Sequence, residues 1–447
     1  MKNIFDFKTN KYILKIALPA IAGLSTQMIV SLVDTAMVGR LGDAKHALAA
    51  MGLGVLATWA IVSFFSSLAT GTHVLIARSY GAKDYKKCGV VLNTSLIFSF
   101  FVGVVVSSLF VGFSYYIANF FAADPKVGEL AGNYLHYRFM GIPFFLLTVS
   151  YRGFFFGIGN TKIFMYSGII ANLLNIGFNY AFIYGNFGAP EMGLAGAGLG
   201  STLATICDAI FYFSVSNFSG YKDKFTYFKN FYLDKSIVKE ILKISLPVSF
   251  QNVFILIGFL SFIAITGLIG TAEQAASQLV VSSLFISIMP CFGFGIATQT
   301  LVGNALGSGK IILAKHYGFQ TSKIATVYTV FVGIIFILFP RFILYLITSQ
   351  TEIVEIAVPA LQIVGFGQVF YAVGVVLANG LQSGGNSLFV MVTEVILNCF
   401  VFVPAAYFFG VYMGYGLIGA WATLPLYVII FSTVIFIKFK YGRWKRY

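Results

Sequence analysis

Charge is what this sequence has least of. Lysine, arginine, aspartate and glutamate make up 10% of the 447 residues, against about a quarter in an ordinary soluble domain. With 58% of the chain apolar, so few charges cannot dissolve its surface, which excludes a soluble globular protein. Cysteine is scarcer still. Cys88, Cys207, Cys291 and Cys399 stand far apart, three of them in apolar runs, with neither metal-ligand spacing nor a disulfide pattern. The histidines His46, His73, His136 and His316 are equally dispersed, and no HExxH or paired-His arrangement exists. A membrane-embedded enzyme would need such a constellation, so neither an enzyme nor a cofactor is expected. No cleavable signal peptide is evident, because MKNIFDFKTNKY leads straight into a long apolar stretch.

Long apolar runs are what the chain does have. Runs of about 17–25 residues suit helices that cross a bilayer. Twelve are predicted, near 13–38, 48–76, 90–117, 134–157, 163–184 and 192–216, then 241–268, 275–303, 318–347, 354–381, 388–409 and 416–437. They are continuous rather than alternating, which favours helices over a barrel. Abundant aromatics, with 49 Phe and 25 Tyr, suit lipid-facing and interfacial positions.

The net charge of +14 is a topology signal. With the N-terminus placed inside, 24 of the 29 Lys and Arg fall on the cytoplasmic side. Only Arg40, Lys45, Lys126, Arg138 and Arg341 fall outside. No basic stripe with interleaved aromatics appears, so nucleic acid is not an expected partner. The chain is expected to cross its membrane many times, with both termini cytoplasmic.

The two halves repeat each other. Lys15-Ile16-Ala17-Leu18-Pro19 returns as Lys243-Ile244-Ser245-Leu246-Pro247, and Leu41-Gly42-Asp43-Ala44 as Ile269-Gly270-Thr271-Ala272. Gly81-Ala82-Lys83 matches Gly307-Ser308-Gly309, and Gly159-Asn160-Thr161 matches Gly385-Asn386-Ser387. Asn172 matches Asn398, and Gly193-Leu194-Ala195-Gly196-Ala197 matches Gly416-Leu417-Ile418-Gly419-Ala420. Each repeat holds six spans, so the halves share one orientation, related by a pseudo-two-fold axis along the membrane normal. The expected domains are an N-terminal bundle 1–216, a polar linker 217–240 and a C-terminal bundle 241–447. Paired bundles of this kind enclose a cleft and work by alternating access, the signature of a secondary transporter.

Few ionisable residues lie well inside the spans: Asp34, Asp208 and Glu394. Each must face a cavity or a partner, because a charge at mid-bilayer is expensive. Asp34 is deepest, on one helical stripe with Gln27 and Ser31. Asn172, Asn175 and Asn179 form a second stripe, and Ser201, Thr202 and Thr205 add hydroxyls. A carboxylate ringed by oxygens suits either a proton or Na⁺. Asp208 and Glu394 stand nearer helix ends, where snorkelling or local pairing is expected. Pro19, earlier on the helix of Asp34, removes a backbone donor and offers a place to bend.

Leu18-Pro19, Val33-Asp34 and Val38-Gly39-Arg40-Leu41-Gly42 resemble the multidrug and toxin extrusion (MATE) family. So do Arg78-Ser79-Tyr80-Gly81-Ala82, Arg152-Gly153, Gly157-Ile158-Gly159-Asn160-Thr161 and Gly193-Leu194-Ala195-Gly196-Ala197. The first half looks most like the DinF-like prokaryotic branch. The resemblance implies a V-shaped, all-α exporter of a prokaryotic inner membrane, with a central cleft, coupled to H⁺ or Na⁺. Its implied cargo is small amphipathic, often cationic, organic molecules. It also implies that Asp34 is the cation-coupling acid, with Asn175 and Ser201 in the same site. Asn179 stands where many DinF-like relatives carry a second acid, and Ile255 and Tyr371 where another branch places coupling acids. The expected cleft wall adds Met28, Met37, Phe64, Phe154 and Met289, since flexible apolar surfaces accept varied ligands. A flippase for lipid-linked saccharides is the competing reading, and it calls for basic residues in the cleft. A monomer is expected.

Overall fold

The computed structural model describes residues 7–228 and 232–444. Lys2, Lys229, Lys445 and Arg446, counted above among the cytoplasmic basic residues, lie outside the described residues. The apolar runs form helices because a helix satisfies its own backbone hydrogen bonds, which hydrocarbon cannot do. No strand occurs among the described residues.

In chain order the helices begin with α1 (Phe7–Val38), α2 (Ala44–Ser66), α3 (Leu68–Gly81), α4 (Tyr85–Phe121), α5 (Pro125–Met140) and α6 (Ile142–Gly157). Next come α7 (Lys162–Tyr184), α8 (Leu194–Phe218), the short α9 (Tyr221–Phe225), α10 (Lys235–Ile269), α11 (Thr271–Gly307) and α12 (Ile311–Leu338). The last are α13 (Pro340–Tyr345), α14 (Thr351–Ser383), α15 (Ser387–Leu397), α16 (Val403–Tyr407) and α17 (Gly416–Tyr441). Ten candidate spans among the described residues are long and apolar enough to cross a membrane. The bent pair α5–α6 makes an eleventh. The remaining expected span, 163–184, is helical as α7 but less apolar, because Asn172, Asn175 and Asn179 interrupt it. The chain is an all-α, multi-pass membrane protein.

Two compact units are present, one of Ala22–Leu246 and one of Met1–Ile21 with Pro247–Tyr447. Each unit takes in the first turns of the helix that opens the opposite half of the sequence. In the first unit, Ile237, Ile241 and Ile244 of α10 pack into a core with Phe154, Tyr212 and Phe225. In the second, Ile13, Ile16 and Ala17 of α1 pack with Cys291, Phe294 and Leu301. Both divisions fall within two residues of the proline in the repeated Leu-Pro pair, Pro19 and Pro247.

The repeat is visible in the backbone. Gly159 and Gly385 both take φ +79°, each ending a helix with the same pair of bonds. Gly159 and Asn160 donate to Phe156 and Phe155 carbonyls, 2.9 and 2.8 Å, while Gly385 and Asn386 donate to Gln382 and Leu381, 2.9 and 3.0 Å. This crossed closure needs a left-handed residue, which glycine adopts without steric cost. The turn after α3 is built alike, yet its left-handed position is Lys83, φ 61°, where the second half has Gly309, φ 71°. Lys83→Gly should therefore relieve strain and stabilise the protein by about 1 kcal/mol. Thermal unfolding of the purified protein checks this, and a lowered midpoint would contradict it.

Candidate ion-binding site

The deepest sequence-assigned acid lies in a hydrogen-bonded chain inside the first unit. Asn179 on α7 donates its amide to Asp34 Oδ1 at 2.7 Å and to Asn175 Oδ1 at 3.3 Å. Asn175 in turn donates to Ser201 Oγ on α8 at 3.1 Å. The spacing i, i+4 puts both asparagines on one face of α7. Asp34, Asn179, Asn175 and Ser201 are thus joined across three helices. A hydrogen bond to a charged group contributes about 1.5–3 kcal/mol, more than an ordinary interhelical contact. Asn179 Oδ1 is buried and has no partner, which leaves an acceptor oxygen beside the carboxylate.

Asn172 stays outside this chain, its Nδ2 buried without a partner. Thr202 is in a different role. Between α5 and α6 the backbone bends by 48°, next to Gly141 and Pro143. The Gly141 N–H bonds the Arg138 carbonyl at 3.3 Å, and the Tyr137 carbonyl accepts the Thr202 hydroxyl at 2.8 Å. Thr202 therefore satisfies the backbone at the break. Gly141 makes room for it, since a Cβ there would stand 2.9 Å from Thr202 Oγ1.

Arg138 is the residue that sequence reasoning missed. Counted only as an external charge, it acts electrostatically on Asp34 and on Tyr134, both inside the first unit. Its signal was an arginine within the apolar run 134–157. Arg138 also borders a cavity of about 10 Å³ with Thr58 and Gly141, room for a single water.

The remaining assigned residues separate. Gln27, Ser31 and Met28 are exposed along α1, with Met37 half-buried further on. The Met37 carbonyl accepts the Tyr184 hydroxyl at 2.7 Å. Phe64 is half-buried on α2, its ring 5.1 Å from Phe65. Met289 is half-buried on α11 in the second unit. Phe154 departs from the expected cleft wall: it is fully enclosed, its ring 5.1 Å from Phe225 and 5.8 Å from Tyr227. Asp208, expected to snorkel or pair locally, faces Arg152 at 3.8 Å. Arg152 is held between the rings of Phe145 and Phe164 at 5.7 and 5.4 Å. Outside the spans, Asp43 in the turn after α1 pairs with Lys126 and His46, whose hydrogen bonds pull its carboxyl down to about 2.

The sequence model of the family MatE matches residues 19–181 and 247–408. A relative from Thermotoga maritima, described as a probable multidrug resistance protein NorM, is 29% identical over 446 residues, spanning 98% of this chain and 93% of its own length. A solved structure described as MATE in the straight conformation is similar with a TM-score of 0.89, and one in the bent conformation with 0.88. Both are 23% identical, with 97% of this chain and 95% of theirs covered, and share its fold.

Gly200 on α8 sets how closely Asn179 can be approached. A Cβ there would collide with Asn179 Oδ1 and stand 3.1 Å from its backbone nitrogen. Gly200→Ala is expected to displace the amide and cost about 1–3 kcal/mol. Gly177→Ala, on α7 with nothing within 4 Å of the added methyl, should leave the protein as stable or more so. Thermal unfolding of both variants decides it, and equal midpoints would mean that Gly200 does not position Asn179.

Proposed function

The chain belongs to the MatE family, and on that premise we propose that it is a secondary active efflux antiporter. It exports amphipathic, often cationic, organic compounds in exchange for H⁺ or Na⁺, and Asp34 carries the exchanged ion. One observation carries the reading: a carboxylate within an apolar helix, joined through Asn179 and Asn175 to Ser201. A structural hydrogen bond would be served by a neutral side chain, without the cost of placing an acid in hydrocarbon.

Ionised Asp34 accepts a charge-assisted bond from Asn179 and faces the field of Arg138. Neutralising the carboxylate weakens both interactions at once. Asn179 is then free to turn, and Asn175 and Ser201 follow because they share its amide. Protonation is the simpler way to do this, since one acid opposed by one arginine leaves little net charge for a metal ion. Na⁺ is the second reading, supported by the free Asn179 Oδ1 as an additional oxygen ligand.

Pro19 is the proposed hinge. It lies about four turns before Asp34 on a helix continuous from Phe7 to Val38. Release of Asp34 alters what holds the later turns of α1, and the weakened ladder at Pro19 absorbs the change. Relatives solved in a straight and in a bent conformation are consistent with such a movement. The exposed Gln27, Met28 and Ser31 lie between hinge and acid, where a cationic substrate would meet the carboxylate's field. The excess of Lys and Arg on one side favours cytoplasmic termini in an inner membrane, and a monomer suffices for the cycle. A flippase for lipid-linked saccharides is less favoured, because Arg152 already faces Asp208 and the charge of Arg138 acts on Asp34.

Ethidium efflux in inside-out vesicles under separate proton and Na⁺ gradients tests the assignment. Asp34→Asn is expected to fall to the background of empty vesicles under both gradients. Transport at the normal rate under either gradient would contradict it.

A further inference from the structure

The second unit holds a buried acid of its own. Glu273, Glu352 and Glu355 lie near helix starts, half-buried or exposed, whereas Glu394 on α15 is 3% exposed. The Tyr427 hydroxyl on α17 donates to its Oε1. Tyr371 on α14 is the other titratable group acting within this cluster, itself under the influence of Cys291. Val390 and Leu397 flank Glu394 along the helix, and the Phe402 and Phe431 rings flank Tyr427 at 5.5 and 6.2 Å. No basic side chain pairs with Glu394 among the described residues. Lys438 on α17 is turned to the Phe389 ring at 4.6 Å.

The backbone around this acid is also unusual. α15 ends where Asn398–Phe402 widens into a π-helical turn, and Phe408–Tyr412 forms a second. Such turns forfeit regular hydrogen bonding and recur at functional sites. Asn398, one turn beyond Glu394 on the same face, is buried with its Oδ1 unpartnered. Gly258 on α10 makes the space, since a Cβ there would collide with the Asn398 amide. Ionised Glu394 thus has the Tyr427 hydroxyl as a donor, and the same helix face carries an acceptor oxygen, Asn398 Oδ1, that is buried without a partner.

We propose that Glu394 takes up and releases one proton in each transport cycle, giving the second unit a protonation site separate from Asp34. The proton comes from water to a carboxylate oxygen and returns to water, changing the group between anionic and neutral. This rests on the antiport reading above, but it does not require Asp34 to be the first site.

Difference infrared spectroscopy of the purified full-length protein in lipid, followed across a pH titration, reads the carboxylic-acid C=O band directly. A titrating band should be lost in Glu394→Gln and kept in Asp34→Asn. Ethidium added near the midpoint should diminish it. Tyr427→Phe should keep the band and move its midpoint to higher pH, because the ionised form loses the Tyr427 donor. A Glu394 band that never titrates, or that ethidium leaves unchanged, overturns the proposal and makes the pair a static hydrogen bond. If Glu394→Gln does not fold, an unshifted midpoint in Tyr427→Phe overturns it equally. Normal vesicle transport by Asp34→Asn would sink the Asp34 assignment while leaving this band, so the two failures are distinguishable.

Discussion

The hydrogen bond from Asn179 to Asp34 is the interaction on which the first unit depends. A carboxylate among apolar helices must be answered by donors or neutralised, because hydrocarbon does not solvate a charge. The answer comes from a helix far away in sequence, so α1, α7 and α8 have to meet at one level. Small residues allow it. Gly200 lets α8 close on Asn179, and Gly141 lets Thr202 reach the carbonyl exposed where α5 breaks into α6. That break occurs just beyond Arg138, the charge that balances Asp34. A polar site and a backbone irregularity are thus one feature seen from two helices.

The two units are built from the same parts and put them to different uses. Their turns agree residue for residue at Gly159 and Gly385, and at Gly193 and Gly416, where φ is 55° and 61°. The polar content diverges. Asp34, Asn175 and Asn179 occupy the first unit, while the buried Glu394 and the half-buried Tyr371 lie in the second. Asn172 and its repeat counterpart Asn398 each keep one buried amide atom unpartnered. Duplication preserved the closures that let helices turn back, since those are demanded by the backbone itself. The side chains facing the interior carried no such constraint.

Hydropathy made the spans legible because each must be apolar over its full length, and motif repetition made the duplication legible. Asp34 stood out because so few acids compete with it. Other features were not readable for physical reasons. A bend such as that between α5 and α6 leaves hydropathy unchanged, so the position of Arg138 inside an apolar run was the one sign that it is not a loop charge. Phe154 looked like any of 49 phenylalanines; only packing against Phe225 and Tyr227 reveals it as core. Thr202 and Ser201 are neighbours in sequence, yet a helix turns them about 100° apart. One reaches a freed carbonyl and the other the asparagine chain. The π-helical turns after Glu394 have no composition signal at all.

The proposed coupling through Asp34 means that ion and substrate oppose each other at equilibrium, and linkage makes the effect reciprocal. The most direct test is the affinity of the purified protein for ethidium, measured across a range of pH and Na⁺ concentration in wild type and Asp34→Asn. Wild type should bind more weakly as protons or Na⁺ increase, and Asp34→Asn should lose that dependence. An Asp34→Asn protein whose ethidium affinity still follows the wild-type curve would contradict the central claim.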